Sequence, residues 1–221
     1  MGDILGQYDV LGAFWLTIQL AFFSAIGSLI LGTVVAVMRV SPVRVLQLLG
    51  TWYVNTFRNT PLTLLMVFSI LGATYILGIN LAPESFEDNN FRWAVVVLSV
   101  YHAAFVCEAL RSGVNTVPAG QAEAARAIGL TFGQSMREVI LPQAFRGAVA
   151  PLGSTLIALI KNTTVAAVIG NPEAAGLMSE IVENEGSSIG IFLVFALGFV
   201  ILTLPVGVLF TSMSRRLAVK R

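Results

Sequence analysis

The side chains able to do chemistry are few in this sequence and sit in apolar company. There is one histidine, His102, and one cysteine, Cys107, both inside "RWAVVVLSVYHAAFVCEALRS" (92–112), where Glu108 is the only acid. Lys161 interrupts a second apolar run, "AVAPLGSTLIALIKNTTVAAVIG" (148–170), and is followed at once by Asn162, Thr163 and Thr164. A metal centre needs several ligands at matched spacing, and His102 has no such companions. Nucleophilic or acid–base catalysis needs a base beside a nucleophile, or paired carboxylates, and the apolar runs hold neither. An integral-membrane enzyme is therefore disfavoured. What the sequence does offer is a cation beside an amide and two hydroxyls, a set suited to receiving a carboxylate.

The elements that must position these groups follow from the composition. Of 221 residues, 56% are hydrophobic and only 11% charged, where soluble domains run nearer a quarter charged. The mean hydropathy of +0.84 points to a protein embedded in membrane lipid; nothing suggests nucleic-acid binding. The single cysteine rules out an intrachain disulfide. The start "MGDILGQYDV" lacks a basic n-region, so the first apolar run is expected to remain rather than be cleaved as a signal peptide.

A membrane-crossing helix needs about 20 mostly apolar residues. Five stretches qualify, at about 13–38, 61–80, 92–112, 148–170 and 189–212. Neither an internal repeat nor a linker divides them, so one all-α transmembrane domain over 1–221 is expected. Arg39, Arg44 and Arg58 fall between the first two spans, and Arg111, Arg126, Arg137 and Arg146 between the third and fourth. Arg215, Arg216, Lys220 and Arg221 follow the fifth. The intervening "APESFEDNN" and "NPEAAGLMSEIVENEGSS" carry only acids among their charged residues. Basic loops stay cytoplasmic, which puts the N-terminus outside and the C-terminus inside, in the cell membrane.

An upright helix rises about 1.5 Å per residue, so Lys161 and His102 each lie roughly 14–15 Å below the outer ends of their spans. Both are near the midplane. Glu108 lies near the cytoplasmic end, too far to partner Lys161, and forms an i, i+3 pair with Arg111. Two readings of Lys161 remain open: it holds its helix in place, or it faces a solute path. His102 fits an interhelical hydrogen bond or a pore contact. Ser69 and Thr74 either line a pore or bond their own backbone. Ser24, Gly27, Ser28 and Gly32 read as close-packing positions.

The longest polar segment, about 113–147, has its own punctuation. Pro118 can open a helix at its first turn, "AGQAEAARAI" is helix-prone, and Gly129 can close it in the left-handed region. Thr131 with Gln134 has capping-box spacing, and Pro142 is expected to end the second helix. A plain connection would need only two to eight residues. Two short helices meeting at a glycine suit docking of a cytoplasmic partner.

"GQAEAARAIGLTFGQSMREVILPQAF" resembles the EAA motif of ATP-binding-cassette importer permeases, through Glu123, Ala124, Ala125 and Gly129, then Ile140, Leu141 and Pro142. "FRNTPLTLLMVF" resembles the "RGTPL" signature of polar-amino-acid permeases, with Asn59 in place of the usual glycine. "LIALIKNTTVAAVIG" and "CEALRSGVNTV" also resemble that family's stretches, and the details are most similar to actinobacterial glutamate uptake permeases. The resemblance implies a type I importer permease fold, with Glu123, Ala124, Ala125, Gly129, Leu141 and Pro142 coupling to ATPase subunits. It implies a solute path near Lys161, Asn162, Thr164, Ser69 and His102. The implied partners are two cytoplasmic ATPases, a second and related permease, and an extracellular amino-acid-binding protein. The chain has no G-x-x-x-x-G-K-[ST] loop, so ATP and Mg belong to the partner ATPase and no cofactor is expected here. Permeation of another polar amino acid, or a non-transporting membrane anchor, are the alternatives.

Overall fold

The computed structural model describes residues 6–186 and 189–217. It is all-α: no strand occurs among the described residues. Helix α1 (Val10–Val40) starts on Asp9, whose side chain accepts from the Gly12 N–H at 2.8 Å. Helix α2 (Arg44–Asn59) is amphipathic, burying Gly50 and Val54 and exposing Val45, Leu48, Leu49 and Trp52. It ends at Thr60, which is extended (φ −94°, ψ 132°) because the ring of Pro61 disfavours helical geometry at the residue before it. The chain turns by 98° there into α3 (Leu62–Val67), which continues as a π-helix over Phe68–Ile76.

Helix α4 (Phe86–Asn115) is capped by the Ser85 hydroxyl, which accepts from the Asp88 N–H, with Glu87 and Asp88 in its first turn. Acids there complement the positive end of the helix dipole. Helix α5 (Ala119–Ala127) and the short α6 (Phe132–Gln134) follow, then a π-helical stretch Ser135–Ile140, then α7 (Leu141–Asn162). Directly after α7 the chain tightens to a 3-10 helix, Thr163–Ile169, and Gly170 ends it at φ +74°. Asn90 Nδ2 donates to the Ile169 carbonyl at 2.6 Å, satisfying an acceptor that the helix end would leave unpaired. Helix α8 (Ala174–Glu185) and α9 (Ile189–Leu217) complete the described residues.

Four continuous helical segments are long and apolar enough to cross a membrane: Val10–Val40, Phe86–Asn115, Phe132–Ile169 and Ile189–Leu217. The bent pair α2–α3 makes a fifth candidate. Helix α1 packs on α4 through small residues. A Cβ on Gly32 would lie 2.6 Å from Val106 Cβ and 2.8 Å from the Ala103 carbonyl, and Ser24 and Ser28 are buried on the same stripe. In lipid, association relies on close packing rather than on the hydrophobic effect, so these positions carry that contact. Helices α4 and α7 meet at Gly113, where a Cβ would lie 2.3 Å from the Ala144 carbonyl.

One expectation is corrected. Pro142 does not end the second short helix: helical structure runs unbroken from Phe132 through Pro142 to Ile169. A proline inside a helix removes an N–H and crowds the carbonyl four residues before it. The wider π-helical turns over Ser135–Ile140 lie just ahead of Pro142, where that crowding would fall.

Candidate functional site: an exposed cation and a polar knob

Lys161 stands in the last turn of α7, eight residues, or about 12 Å of helix, before Ile169. Its side chain is exposed on the chain and forms no ion pair among the described residues. The neighbouring hydroxyls are turned back to the helix: Thr163 Oγ1 donates to the Ile160 carbonyl at 2.7 Å, and Thr164 Oγ1 to the Lys161 carbonyl at 2.8 Å. Asn162 reaches across instead. Its Nδ2 lies 3.2 Å from His102 Nε2 on α4, so the interhelical hydrogen bond expected of His102 is present and its partner is Asn162. Ser69 is buried in the π-helical part of the α3 segment, its hydroxyl on the Met66 carbonyl at 2.6 Å. An exposed ammonium on a membrane-crossing helix costs at least about 2.5–3.5 kcal/mol if it meets lipid. Such a group lowers that cost by meeting a protein partner, a water-filled path or, by snorkelling, the polar interface.

The polar knob is built as its punctuation suggests. Helix α5 closes with Gly129 N–H on the Arg126 carbonyl and Leu130 N–H on the Ala125 carbonyl, with Gly129 at φ +86°. This paired pattern needs a left-handed residue. The Thr131–Gln134 capping box is present, with Thr131 N–H on Gln134 Oε1 at 2.9 Å and Gln134 N–H on Thr131 Oγ1 at 3.3 Å. Ala125 faces inward, while Glu123, Ala124, Gly129, Leu141 and Pro142 are exposed. Ile128 and Phe132, which the sequence reading did not single out, flank the glycine at 78% and 61% exposure. They place two large apolar side chains on an otherwise polar turn, on either side of the glycine.

Two further sites escaped the sequence. Glu108 pairs with Arg111 as expected (2.8 Å), but Arg39 of α1 also contacts it, and Arg58 of α2 lies 4.0 Å away. The distances in sequence, 69 residues from Arg39 to Glu108, gave no local pattern to read. In the turn between Gly170 and α8, Glu173 is completely buried and caps α8, its carboxylate accepting from Ala175 N–H at 3.0 Å and Gly176 N–H at 3.1 Å. It also accepts from Thr17 Oγ1 of α1 at 3.3 Å. Burial pushes its pKa up to about 7, although these hydrogen bonds pull the other way.

The family model for binding-protein-dependent transport system inner membrane components matches residues 10–219. The chain is 52% identical over 218 residues, 96% of each protein, to the glutamate transport system permease protein GluC of Corynebacterium glutamicum. It is 34% identical to the probable glutamine ABC transporter permease protein GlnM of Bacillus subtilis, covering 92% of this chain and 91% of that one. Among solved structures, an amino acid ABC transporter crystallised with histidines superposes with a TM-score of 0.84 at 26% identity, covering 94% of this chain and 93% of that one. A family match from residue 10 to 219, a relative 52% identical over nearly the whole length and a shared fold agree: the chain belongs to the binding-protein-dependent transport system inner membrane components, as a membrane-embedded permease subunit of ABC importers.

Proposed function

We propose that this permease carries an acidic or amide amino acid, glutamate first, along a path that includes the α7 face at Lys161. The observation that carries the reading is a cation on a helical segment long and apolar enough to cross a membrane, exposed on its own subunit and in no ion pair among the described residues. The glutamate and glutamine assignments of GluC and GlnM support the same substrate class. An anionic side chain leaving water needs cationic and donor groups along its route, and Lys161 with the Asn162 amide supplies both. The path is completed by a second, different but related permease packed against this face.

The knob from Ala119 to Ile140 seats in a cytoplasmic ATPase, one of two, with Ile128 and Phe132 entering its cleft and Gly129 setting the angle between the short helices. ATP and Mg act in that ATPase, and this chain binds no cofactor. An extracellular binding protein delivers the solute to the opposite face, with the N-terminus outside and the C-terminus cytoplasmic.

Replacing Lys161 by Met keeps the length and removes the charge. Losing a charged hydrogen bond to the substrate carboxylate should lower glutamate uptake relative to glutamine by about tenfold or more, in a transporter that assembles normally. An unchanged glutamate-to-glutamine preference would leave Lys161 with a structural role only.

A further inference from the structure

We propose that the arginine cluster around Glu108 is a binding site for the phosphate of an anionic phospholipid headgroup, in the leaflet on the side of the polar knob. One carboxylate faces three guanidinium groups: Arg39 in contact, Arg111 Nη2 at 2.8 Å and Arg58 Nη1 at 4.0 Å. The cluster therefore carries two positive charges in excess. Arg39 is mostly enclosed, whereas Arg58 and Arg111 are 46% and 39% exposed. Arg58 is too far from Glu108 for a hydrogen bond and lies instead over the Phe105 ring, its Cζ 5.6 Å from the centroid. Its N–H fork is half exposed over that ring and forms no hydrogen bond among the described residues, and a guanidinium fork suits a phosphate bidentately.

The location selects lipid over a soluble anion. Arg39 is in the last turn of α1, Arg58 in the last turn of α2, and Arg111 one turn before the end of α4. Arg39 and Arg111 thus lie near the ends of the candidate spans α1 and α4, and the knob follows α4 directly. Helix α2 turns by 98° from the segment that follows it and exposes Leu48, Leu49 and Trp52, the last at 66%. A helix of that build lies in the plane of the headgroups with its apolar side chains among the acyl chains. Basic pockets between spans on the cytoplasmic side bind acidic headgroups. This inference needs membrane embedding and is independent of which solute is carried.

The test uses the whole transporter, this permease with its partner subunits, stripped of lipid in detergent and titrated with phosphatidylglycerol or phosphatidylcholine under native mass spectrometry. Phosphatidylglycerol should bind preferentially. The double substitution Arg58→Gln, Arg111→Gln should weaken it by about 30-fold, the effect of two basic side chains at an anionic surface, and leave phosphatidylcholine binding unchanged. Millimolar inorganic phosphate or glutamate should not displace the lipid. Equal binding of the two lipids, unaltered affinity in the double variant, or displacement by phosphate or glutamate would each overturn the assignment, the last in favour of a soluble anion. Should the double variant fail to assemble, a photoactivatable phosphatidylglycerol on the wild-type complex decides: adducts must fall near Arg58 or Arg111, and adducts confined elsewhere refute the site.

Discussion

Replacing Glu173 by glutamine should flatten the pH dependence of this protein's stability on the acid side of neutrality. The carboxyl lies in the turn before α8, completely buried, and its pKa is raised from 4.5 to about 7, chiefly by burial. The folded protein therefore keeps this proton up to about pH 7, while the unfolded chain releases it near 4.5. Between those values the folded state binds more protons, so stability falls as pH rises through the window and levels off above it. A shift of that size corresponds to roughly 3 kcal/mol. For a chain of this length that is roughly 6–12 °C in Tm. Glutamine cannot titrate there, and it keeps one acceptor for the α8 N–H groups. Thermal unfolding in detergent, followed by fluorescence from pH 4.5 to 8, should show the wild-type midpoint falling toward pH 7 relative to the variant. Comparing the two cancels every other titrating group. Parallel pH profiles would refute a buried, proton-holding Glu173. Glu173→Ala should show the same flattened profile and in addition lose the cap, about 1 kcal/mol below Glu173→Gln at every pH.

Gly129→Val should put a β-branched side chain at φ +86°, a strain of at least about 1–2 kcal/mol. Open space surrounds the position, so membrane insertion should persist while uptake falls. Full substrate-stimulated ATPase activity in that variant would remove the knob from coupling. Gly113→Val would drive a side chain into the Ala144 carbonyl and Ala148, and about 1–3 kcal/mol of overpacking should reduce assembled transporter on a blue native gel. Single cysteines at 87 and 183, in a Cys107→Ala background, should react with an impermeant maleimide from outside, and those at 126 and 216 should not. Labelling of position 126 in intact cells would refute the orientation.

The sequence by itself determined that the chain is helical and membrane-embedded. Backbone groups in lipid must bond within their own segment, so a long apolar run has only one structure open to it. It also determined the knob, because Gly129 and the Thr131–Gln134 pair act within one turn of chain. Local rules likewise gave the Glu108–Arg111 pair, three residues apart on one helix. Tertiary structure decided everything that depends on helices meeting. Arg39 and Arg58 reach Glu108 only because α1, α2 and α4 converge at one end. Glu173 becomes a buried acid only because Thr17 of α1 lies against the turn before α8. Asn162 finds His102 across the α4–α7 contact. Helix α2 falls short of the apolar length that marks a span, and its lie across the next segment was fixed by the bend at Thr60–Pro61. The fate of Pro142 turned on π-helical turns that widen locally with no residue signature of their own. Spacing along one helix fixes which residues share a face, whereas what that face meets is set by the packing of helices distant in sequence.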